Sequence, residues 1–219
     1  MIKAIVFDMD GVLCRSEEPR FDFLKRFFKN HNIQLDNKDL FKILGLGTLK
    51  SIKILSGGKF SSEQMQTICD AKKQYFNINK DKLIIPQEGL YELLDSLKEY
   101  KLVLATAAGK DYAYDVLKLL NVTKYFDFIF TAANVKNAKP HPEIYNKVQE
   151  ALTKKFNISR DQIIVIEDSV PGVLSVKNAN LKCVGLSNYN DEQKLINANS
   201  DYVVKSLIEL KELFYTNSI

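Results

Sequence analysis

Residues 2–13 read IKAIVFDMDGVL, a short apolar run that leads into two aspartates and a glycine. An apolar run of this length, bounded by a turn signal, is typical of a β-strand that is buried on both faces. Gly11 permits a sharp turn after the strand, because glycine adopts backbone conformations that other residues avoid. The stretch therefore predicts a buried first strand with Asp8 and Asp10 at its carboxyl end.

Similar apolar runs recur along the rest of the chain. They cover residues 102–105, 128–130, 163–166, 183–185 and, with a weaker signal, 202–204. The segments between them carry apolar residues at helical spacing, as in the stripe formed by Leu90, Leu93, Leu94 and Leu97. Alternating strands and helices predict an α/β fold, a Rossmann-like parallel sheet core with helices on both faces.

Residues 15–85 interrupt this alternation with helical patterns alone. Phe21, Leu24 and Phe28 share one helical stripe, and Ser61 begins a second helix behind an S-x-x-Q capping pattern. No strand signal is obvious in this stretch. It is predicted to be a small helical cap domain, inserted into a catalytic core formed by residues 1–14 and 86–219.

The overall charge of the chain is modest. Its 31 basic and 27 acidic residues give a net charge of +4, and the lysines are scattered along the 219 residues. Scattered lysines usually form a solvated surface, so we expect no nucleic-acid or membrane patch. No apolar run approaches the ~20 residues that span a bilayer, and the N-terminus lacks a signal-peptide pattern. The expected location is cytoplasmic.

Four sets of candidate site residues lie at or just after the ends of predicted strands, or in the loops beyond them. They are Asp8 with Asp10, Thr106 with Ala107, Lys139 and Glu167 with Asp168. In an open parallel sheet the carboxyl ends of the strands share one edge, where ligands bind. Each group alone has an ordinary structural explanation: an acidic turn, a helix N-cap, a surface lysine before proline, and an acidic N-cap. Their occurrence together is better explained by one pocket.

The residue types suit phosphate and magnesium chemistry. One of two neighbouring carboxylates can attack a phosphoryl group while the other transfers a proton. A hydroxyl and backbone N–H groups before a helix bind anions, and lysine is a compact cation that neutralises phosphate. Carboxylate oxygens are ligands that Mg²⁺ prefers.

The order of these motifs is similar to that of the haloacid dehalogenase superfamily. The pattern is D-x-D-G-V-L, then Thr after an apolar strand, then Lys-Pro, then Glu-Asp-Ser. The helical insert after the first strand resembles the branch that contains beta-phosphoglucomutase and many sugar-phosphate phosphatases. The resemblance covers essentially the whole chain.

The resemblance implies a role for each motif residue. Asp8 would be the nucleophile and Asp10 the general acid and base. Mg²⁺ would be held by Asp8, the main-chain carbonyl of Asp10 and Asp168, with Glu167 as a direct or supporting ligand. The residues implied to bind the transferring phosphoryl oxygens are Thr106, Ala107 and Lys139.

Within the superfamily, the sequence favours a phosphatase that acts on a small phosphorylated metabolite. Dehalogenases lack the second acid, which is present here as Asp10. A mutase of the beta-phosphoglucomutase type is the nearest alternative, but Arg15, Arg20 and Ala108 stand where its pattern has an aspartate, a histidine and a serine. A catalytically silent binding module of the same fold is the other alternative, although such a protein is expected to lose a catalytic residue.

Three basic residues of the predicted cap are candidates for substrate contact: Arg15, Arg20 and Lys50. Lys50 lies in a stretch, residues 45–50, that is predicted to be a loop entering a cap helix. For Arg20 and Lys50 the alternative is a solvated surface side chain. The predicted hinges between cap and core are residues 11–16 and 82–86.

Overall fold

The computed structural model describes residues 1–43, 46–188 and 192–216. The strands are β1 (Ala4–Phe7), β2 (Cys14–Arg15), β3 (Ile85–Pro86), β4 (Lys101–Ala105), β5 (Phe128–Phe130), β6 (Ile163–Glu167), β7 (Lys182–Leu186) and β8 (Tyr202–Val204). The helices are α1 (Glu17–Lys29), α2 (Asn37–Phe41), α3 (Thr48–Leu55), α4 (Ser62–Leu83), α5 (Leu90–Ser96), α6 (Lys110–Leu119), α7 (Glu143–Phe156), α8 (Val170–Asn178), α9 (Glu192–Asn197) and α10 (Leu207–Tyr215). Short 3-10 turns cover Thr123–Tyr125, Ala132–Asn134 and Arg160–Gln162.

Six strands form one parallel sheet in the order β5-β4-β1-β6-β7-β8. The first strand therefore lies inside the sheet, between β4 and β6. Phe7 is opposite Leu104 on one side and Ile166 on the other. Because all three strands run in the same direction, the residues that follow them emerge at one edge. The predicted α/β fold with a Rossmann-like core is confirmed.

Helices cover both faces of the sheet. Ile5 and Phe7 of β1 belong to an apolar cluster that includes residues of α5, α6 and α10, whereas Ala4 and Val6 face a second cluster with residues of α7, α8 and α9. Successive side chains of a strand point to opposite faces, so a strand between two helical layers must be apolar throughout. Burial of each large apolar side chain contributes about 1.5–3 kcal/mol. The two apolar clusters fix the positions of the strands, and therefore of the residues that follow the strands at the sheet edge.

Helices α1 to α4 lie between β1 and β4 in the chain and have a separate apolar cluster. Phe21, Leu24 and Phe28 of α1 pack there with Ile52 and Ile68. Among the residues with a described placement, no helix is both long enough and apolar enough to cross a membrane.

A two-stranded antiparallel ribbon joins the helical segment to the sheet. In it Cys14 pairs with Pro86, and Arg15 pairs with Ile85. The sequence pattern shows no strand signal within residues 15–85, because strands of two residues are too short to show a period of two. The division into a cap of residues 15–85 and a core of residues 1–14 and 86–219 stays a prediction. The ribbon at the boundary and the separate apolar cluster support it.

Candidate active site

The turn after β1 places two aspartates at the sheet edge. Asp8 N donates to Ile166 O at 3.0 Å, and the chain then folds back so that Gly11 N donates to Cys14 O at 2.8 Å. Gly11 has φ of +83°, and a Cβ at this position would lie 1.9 Å from Asp168 Oδ2. Gly11 is therefore required for the turn and for the close approach of Asp168.

Lys139 is the centre of a buried ion-pair network. Its Nζ lies 2.7 Å from Asp8 Oδ1 and 2.6 Å from Glu167 Oε1, and it also donates to Ala105 O at 3.2 Å. The residue is only 8% exposed, so the surface-lysine explanation does not hold. Burial by itself would lower the pKa of Lys139, but the Asp8 and Glu167 carboxylates outweigh it and hold that pKa above its ordinary value. Lys139 is thus a fixed cation beside the first aspartate.

Glu167 is fully buried and accepts three side-chain hydrogen bonds. Its Oε1 accepts from Lys139 and from the Tyr145 hydroxyl at 2.5 Å, and its Oε2 accepts from Ser169 Oγ at 3.3 Å. A Cβ at Gly172 would lie 1.9 Å from Oε2, so the adjacent helix α8 packs directly against the carboxylate. These contacts make Glu167 an anchor for Lys139.

Tyr145 was not indicated by the sequence pattern. It falls in the apolar stripe of α7, and periodicity cannot separate a tyrosine that only packs from one that also donates a hydrogen bond. Burial, followed by the neighbouring Glu167 carboxylate, raises the pKa of Tyr145 well above its ordinary value. Its hydroxyl therefore keeps its proton and acts as a donor.

Asp8 and Asp10 have different surroundings. Burial raises the pKa of Asp8 to about 8, while the Lys139 ammonium opposes that rise. Asp10 is half-buried, and its Oδ1 accepts from two neutral hydroxyls, Ser16 Oγ at 2.5 Å and Tyr112 OH at 3.1 Å. Ser16 and Tyr112 are further site residues that the motif pattern did not indicate. Divergent environments are what an acid and a nucleophile in one site require.

Carboxylate oxygens of Asp8, Glu167 and Asp168 all lie within 4.8 Å of one another. Together with Lys139, three carboxylates and one ammonium sum to a formal charge of −2. Buried charge of this size needs compensation, by a proton on one carboxylate or by a dication. Oxygen ligands in a cluster suit a hard divalent cation. The residues present therefore fit a divalent metal ion.

A cavity of about 440 Å³ opens above this cluster, between the sheet edge and the helices α1, α3 and α4. The predicted catalytic, phosphate-binding and metal-binding residues that line it are Asp8, Asp10, Thr106, Ala107, Lys139 and Asp168. The volume is within the range of small-molecule sites. The sequence-distant motifs thus converge on one pocket, with Glu167 buried behind it.

Thr106 follows β4 directly and is buried at the cavity floor. Its Oγ1 accepts from Ala108 N at 3.0 Å. This bond fixes the hydroxyl oxygen, whose own hydrogen can be donated to an anion. Thr106 and the adjacent Ala107 backbone lie beside Lys139 in the lining of the cavity.

The three cap candidates differ in position. Arg20 lines the cavity, and its guanidinium donates to Leu46 O at 3.4 Å and to Ile43 O at 3.3 Å. Arg15 and Lys50 are exposed and are not in the lining of the cavity. Arg15 alternates with the buried Cys14 on the ribbon and so points outward.

Lys50 also differs from its predicted setting. It lies within helix α3, not in a loop, and the buried residues of that helix are Ser51, Ile52 and Leu55. Lys50 is thus on the exposed face. Gly45, at the start of the predicted loop, lies outside the described residues.

Comparison with known proteins identifies the family. The haloacid dehalogenase-like hydrolase family matches residues 5–186. The chain is 30% identical to validoxylamine A 7'-phosphate phosphatase of Streptomyces hygroscopicus subsp. limoneus, over 96% of this chain and 97% of that protein. It is 28% identical to pyrophosphatase PpaX of Halalkalibacterium halodurans, over 97% and 96% respectively.

A solved structure agrees with these matches. The crystal structure of beta-phosphoglucomutase from Clostridium difficile covers 99% of this chain, with 96% of its own length aligned, a TM-score of 0.78 and 29% identity. The chain therefore belongs to the haloacid dehalogenase-like hydrolase family, and it is an enzyme.

Proposed function

We propose that this member of the haloacid dehalogenase-like hydrolase family is a Mg²⁺-dependent phosphatase that transfers the phosphoryl group of a small metabolite to Asp8 and then to water. One observation carries the proposal: Lys139 is salt-bridged to Asp8 at 2.7 Å, on a cavity floor that also holds Asp10, Thr106 and Asp168. Phosphoryl transfer depends mainly on positioning and on neutralisation of charge. This set of residues supplies both.

In the first half-reaction a carboxylate oxygen of Asp8 attacks the phosphorus. The bond between phosphorus and the ester oxygen breaks, and the leaving oxygen takes a proton from Asp10. Lys139 and the Thr106 hydroxyl bind the non-bridging phosphoryl oxygens. The products of this step are an alcohol and an aspartyl-phosphate at Asp8.

In the second half-reaction Asp10, now ionised, takes a proton from a water molecule. The water oxygen attacks phosphorus, the bond to Asp8 breaks, and inorganic phosphate leaves. Asp10 recovers its proton, so the cycle balances. The Ser16 and Tyr112 hydroxyls, both bonded to Asp10 Oδ1, hold the carboxyl group in one orientation for both steps.

The cation site is assigned to Asp8, Asp168 and the main-chain carbonyl of Asp10. Glu167 is assigned a supporting role, because Lys139, Tyr145 and Ser169 already donate to its two oxygens. When bound, Mg²⁺ would neutralise charge on the nucleophile and on the phosphoryl oxygens.

The names of the relatives favour a phosphatase but disagree on the substrate. One names validoxylamine A 7'-phosphate and another names pyrophosphate. The mutase named among the solved structures is a weaker guide, since Arg15, Arg20 and Ala108 replace the residues of the mutase pattern. Rearrangement of a hexose phosphate without release of phosphate would favour the mutase.

The proposal is tested by phosphate release from a panel of phosphate esters, with Mg²⁺ and with EDTA. Turnover is expected only with the cation, and Asp8→Asn should lower kcat by at least about a thousandfold, as loss of a nucleophile does. Asp22→Asn is the matched control, because Asp22 is an exposed carboxylate on α1, outside the cavity. Absence of turnover across the panel would reject the proposal.

A second measurement separates the phosphatase from a silent binding module. Aluminium fluoride with Mg²⁺ imitates a transferring phosphoryl group and should raise Tm in the wild type but not in Asp8→Asn. If the Tm of neither protein changes, the silent binding module is favoured.

A further inference from the structure

The carbonyl group of Gly11 accepts hydrogen bonds from two side-chain amides that the proposed reaction steps do not use. Gln87 Nε2 donates to Gly11 O at 2.8 Å, and Asn188 Nδ2 donates to the same oxygen at 2.5 Å. The donors lie 76 and 177 residues from Gly11 in the chain. We call this pair the amide clamp, defined by Gln87 and Asn188. Because a carbonyl oxygen accepts two hydrogen bonds, the clamp holds this carbonyl group in one orientation.

Gln87 is fixed in place by its own backbone. It follows β3 directly, its N donates to Leu13 O at 3.0 Å, and its O accepts from Leu90 N at 3.1 Å. The residue therefore holds the turn after β1 at two points, Leu13 O through the main chain and Gly11 O through the side chain. The amide reaches Gly11 from a defined position, next to the ribbon that joins the helical segment to the sheet.

Asn188 reaches the same turn from the sheet. It follows β7, and β7 pairs with β6, the strand that ends at Glu167. The residue before it is tied to the next strand, because Ser187 N donates to Val204 O of β8 at 2.8 Å. Both amide side chains are half-buried, whereas Gly11 is buried. One carbonyl group thus connects the sheet with the chain segment that returns from the helical segment.

Gly11 contacts the proposed cation site with its other atoms. A Cβ on its Cα would lie 1.9 Å from Asp168 Oδ2, so the Cα is packed against that carboxylate. Its nitrogen belongs to the peptide bond whose carbonyl oxygen, that of Asp10, is assigned to the cation. Because a peptide unit is planar, a rotation or shift of Gly11 moves the Asp10 carbonyl with it. The position of Gly11 therefore affects two of the assigned ligands.

We infer that Gln87 and Asn188 are positioning residues, which hold the Asp10–Gly11 peptide in the orientation that cation binding and proton transfer require. The inference rests on the proposed phosphatase function and adds two residues to the same site. Neither amide is in the lining of the cavity, so neither is placed to contact the substrate. Amides carry no charge, so the clamp acts through geometry and not through charge neutralisation.

The test replaces each amide by an apolar side chain of similar size, in Gln87→Met, in Asn188→Leu and in the double variant. Each single variant leaves one clamp donor on Gly11 O, and kcat should fall about threefold to tenfold, the size of one neutral hydrogen bond. The double variant leaves neither donor on a buried carbonyl. Its kcat should fall at least about two-hundredfold, more than the product of the single losses. KM should change less than about threefold in all three variants.

Two measurements that do not use turnover separate positioning from a general loss of stability. The dissociation constant for Mg²⁺, measured by calorimetry, should rise at least about threefold in each single variant. In the metal-free protein, hydrogen exchange at two amides of the turn should become faster. These amides are Gly11 N, bonded to Cys14 O, and Leu13 N, bonded to Met9 O.

Asn79→Leu is the matched control. Asn79 Nδ2 also donates to a backbone carbonyl, Tyr75 O at 2.8 Å, and the side chain is half-buried and outside the cavity lining. This variant loses the same kind of hydrogen bond from α4, away from the turn. We expect its kcat, its Mg²⁺ affinity and the exchange of the turn amides to stay within about twofold of the wild type.

Two results would overturn the inference. One is a kcat and a Mg²⁺ affinity of both single variants equal to those of Asn79→Leu, a comparison that stands even if the double variant does not fold. The other is a loss in the double variant equal to the product of the single losses, because the amides would then act independently.

Failure of the proposed function gives a different result. Absence of Asp8-dependent turnover in the wild type rejects the phosphatase proposal. Weaker Mg²⁺ binding and faster exchange of the turn amides in the single variants would still support the clamp, and unchanged values would overturn it.

Discussion

At the scale of single residues, the site depends on how two aspartates two positions apart are kept chemically different. Asp8 is buried against Lys139, whereas Asp10 is half-buried and receives two hydroxyl donors. A nucleophile must be ionised when the substrate binds, and a general acid must bring a proton. The Lys139 ammonium and a bound dication would favour the ionised form of Asp8, whereas the groups that donate to Asp10 are neutral hydroxyls.

Tyr112 should act as a positioning residue for Asp10. In Tyr112→Phe the 3.1 Å hydrogen bond to Asp10 Oδ1 is lost and the ring is kept. We expect kcat to fall about tenfold with KM changed less than about threefold, because proton transfer is affected more than binding. Tyr114→Phe is the control, an exposed tyrosine of the same helix. A rise in KM with kcat unchanged would instead assign Tyr112 to substrate binding.

Metal binding should depend on pH through Asp8. Burial raises the pKa of Asp8 to about 8, so at pH 7 the metal-free side chain is mostly protonated. A cation must displace that proton. The apparent affinity for Mg²⁺ should therefore rise by roughly tenfold per pH unit from pH 6 to 8 and level off above it. Calorimetry in two buffers of different ionisation enthalpy should detect release of about one proton at pH 7.

Asp8→Asn provides the control for this titration. It has no proton to release, and any residual Mg²⁺ affinity should not depend on pH over the same interval. Binding to the wild type without proton release at pH 7 would show that Asp8 is already ionised before the cation arrives.

At the scale of elements, the strand ends were predictable and the supporting residues were not. The apolar run before Asp8 and those before Thr106 and Glu167 all became neighbouring strands, and parallel direction then placed their ends together. Ser16 and Tyr112 could not be predicted, because their contacts depend on how the ribbon and α6 are placed around the turn. Lys139 was predicted by its place in the motif order, whereas its burial follows from tertiary packing.

Gly11 should be essential for the cation site as well as for the turn. Gly11→Ala puts a Cβ 1.9 Å from Asp168 Oδ2, so the carboxylate must move. Gly58 has a similar φ of +76° but nothing within 4 Å of an added Cβ. Both alanine variants should lose roughly 1–3 kcal/mol of stability from backbone strain. Only Gly11→Ala should also lose the rise in Tm on Mg²⁺ addition and the phosphatase activity.

Because both alanine variants carry backbone strain, a difference in Mg²⁺ binding between them reports on the displaced Asp168 carboxylate. If Gly11→Ala binds Mg²⁺ as tightly as Gly58→Ala does, then Asp168 is not a ligand of the cation.

At the scale of the whole molecule, the helical segment touches the sheet domain next to the proposed acid. Phe76 of α4 packs against Tyr112 of α6 with ring centroids 4.5 Å apart and ring planes tilted by 55°, and Lys80 of α4 is paired with Asp115 of α6. Tyr112 in turn donates to Asp10. The contact surface between α4 and α6 therefore reaches the site directly. Motion of the cap about residues 11–16 and 82–86 stays a prediction, and such closure excludes water from phosphoryl transfer.

Loss of the Lys80–Asp115 pair should loosen the cap without unfolding the protein. The pair is partly exposed and contributes at most about 1 kcal/mol, so Tm of Lys80→Gln should fall by no more than about 4 °C. Hydrogen exchange of residues 11–16 and 82–86 should become faster, and KM should rise. Lys98→Gln, which breaks a surface pair on the core, is the control. In the wild type, cap motion predicts that bound aluminium fluoride changes the hydrogen-exchange rates of residues 11–16 and 82–86. Equal rates with and without aluminium fluoride would count against this motion.

Asp8, as the group that accepts the phosphoryl unit, is central to the proposed function. The direct measurement is acid quenching during turnover, followed by mass spectrometry of the peptides, with Asp10→Asn used to slow hydrolysis of the intermediate. We predict one added phosphoryl group on the peptide that contains Asp8, removable by hydroxylamine and absent in Asp8→Asn. A phosphoryl group on another residue, or turnover that persists in Asp8→Asn, would contradict the account.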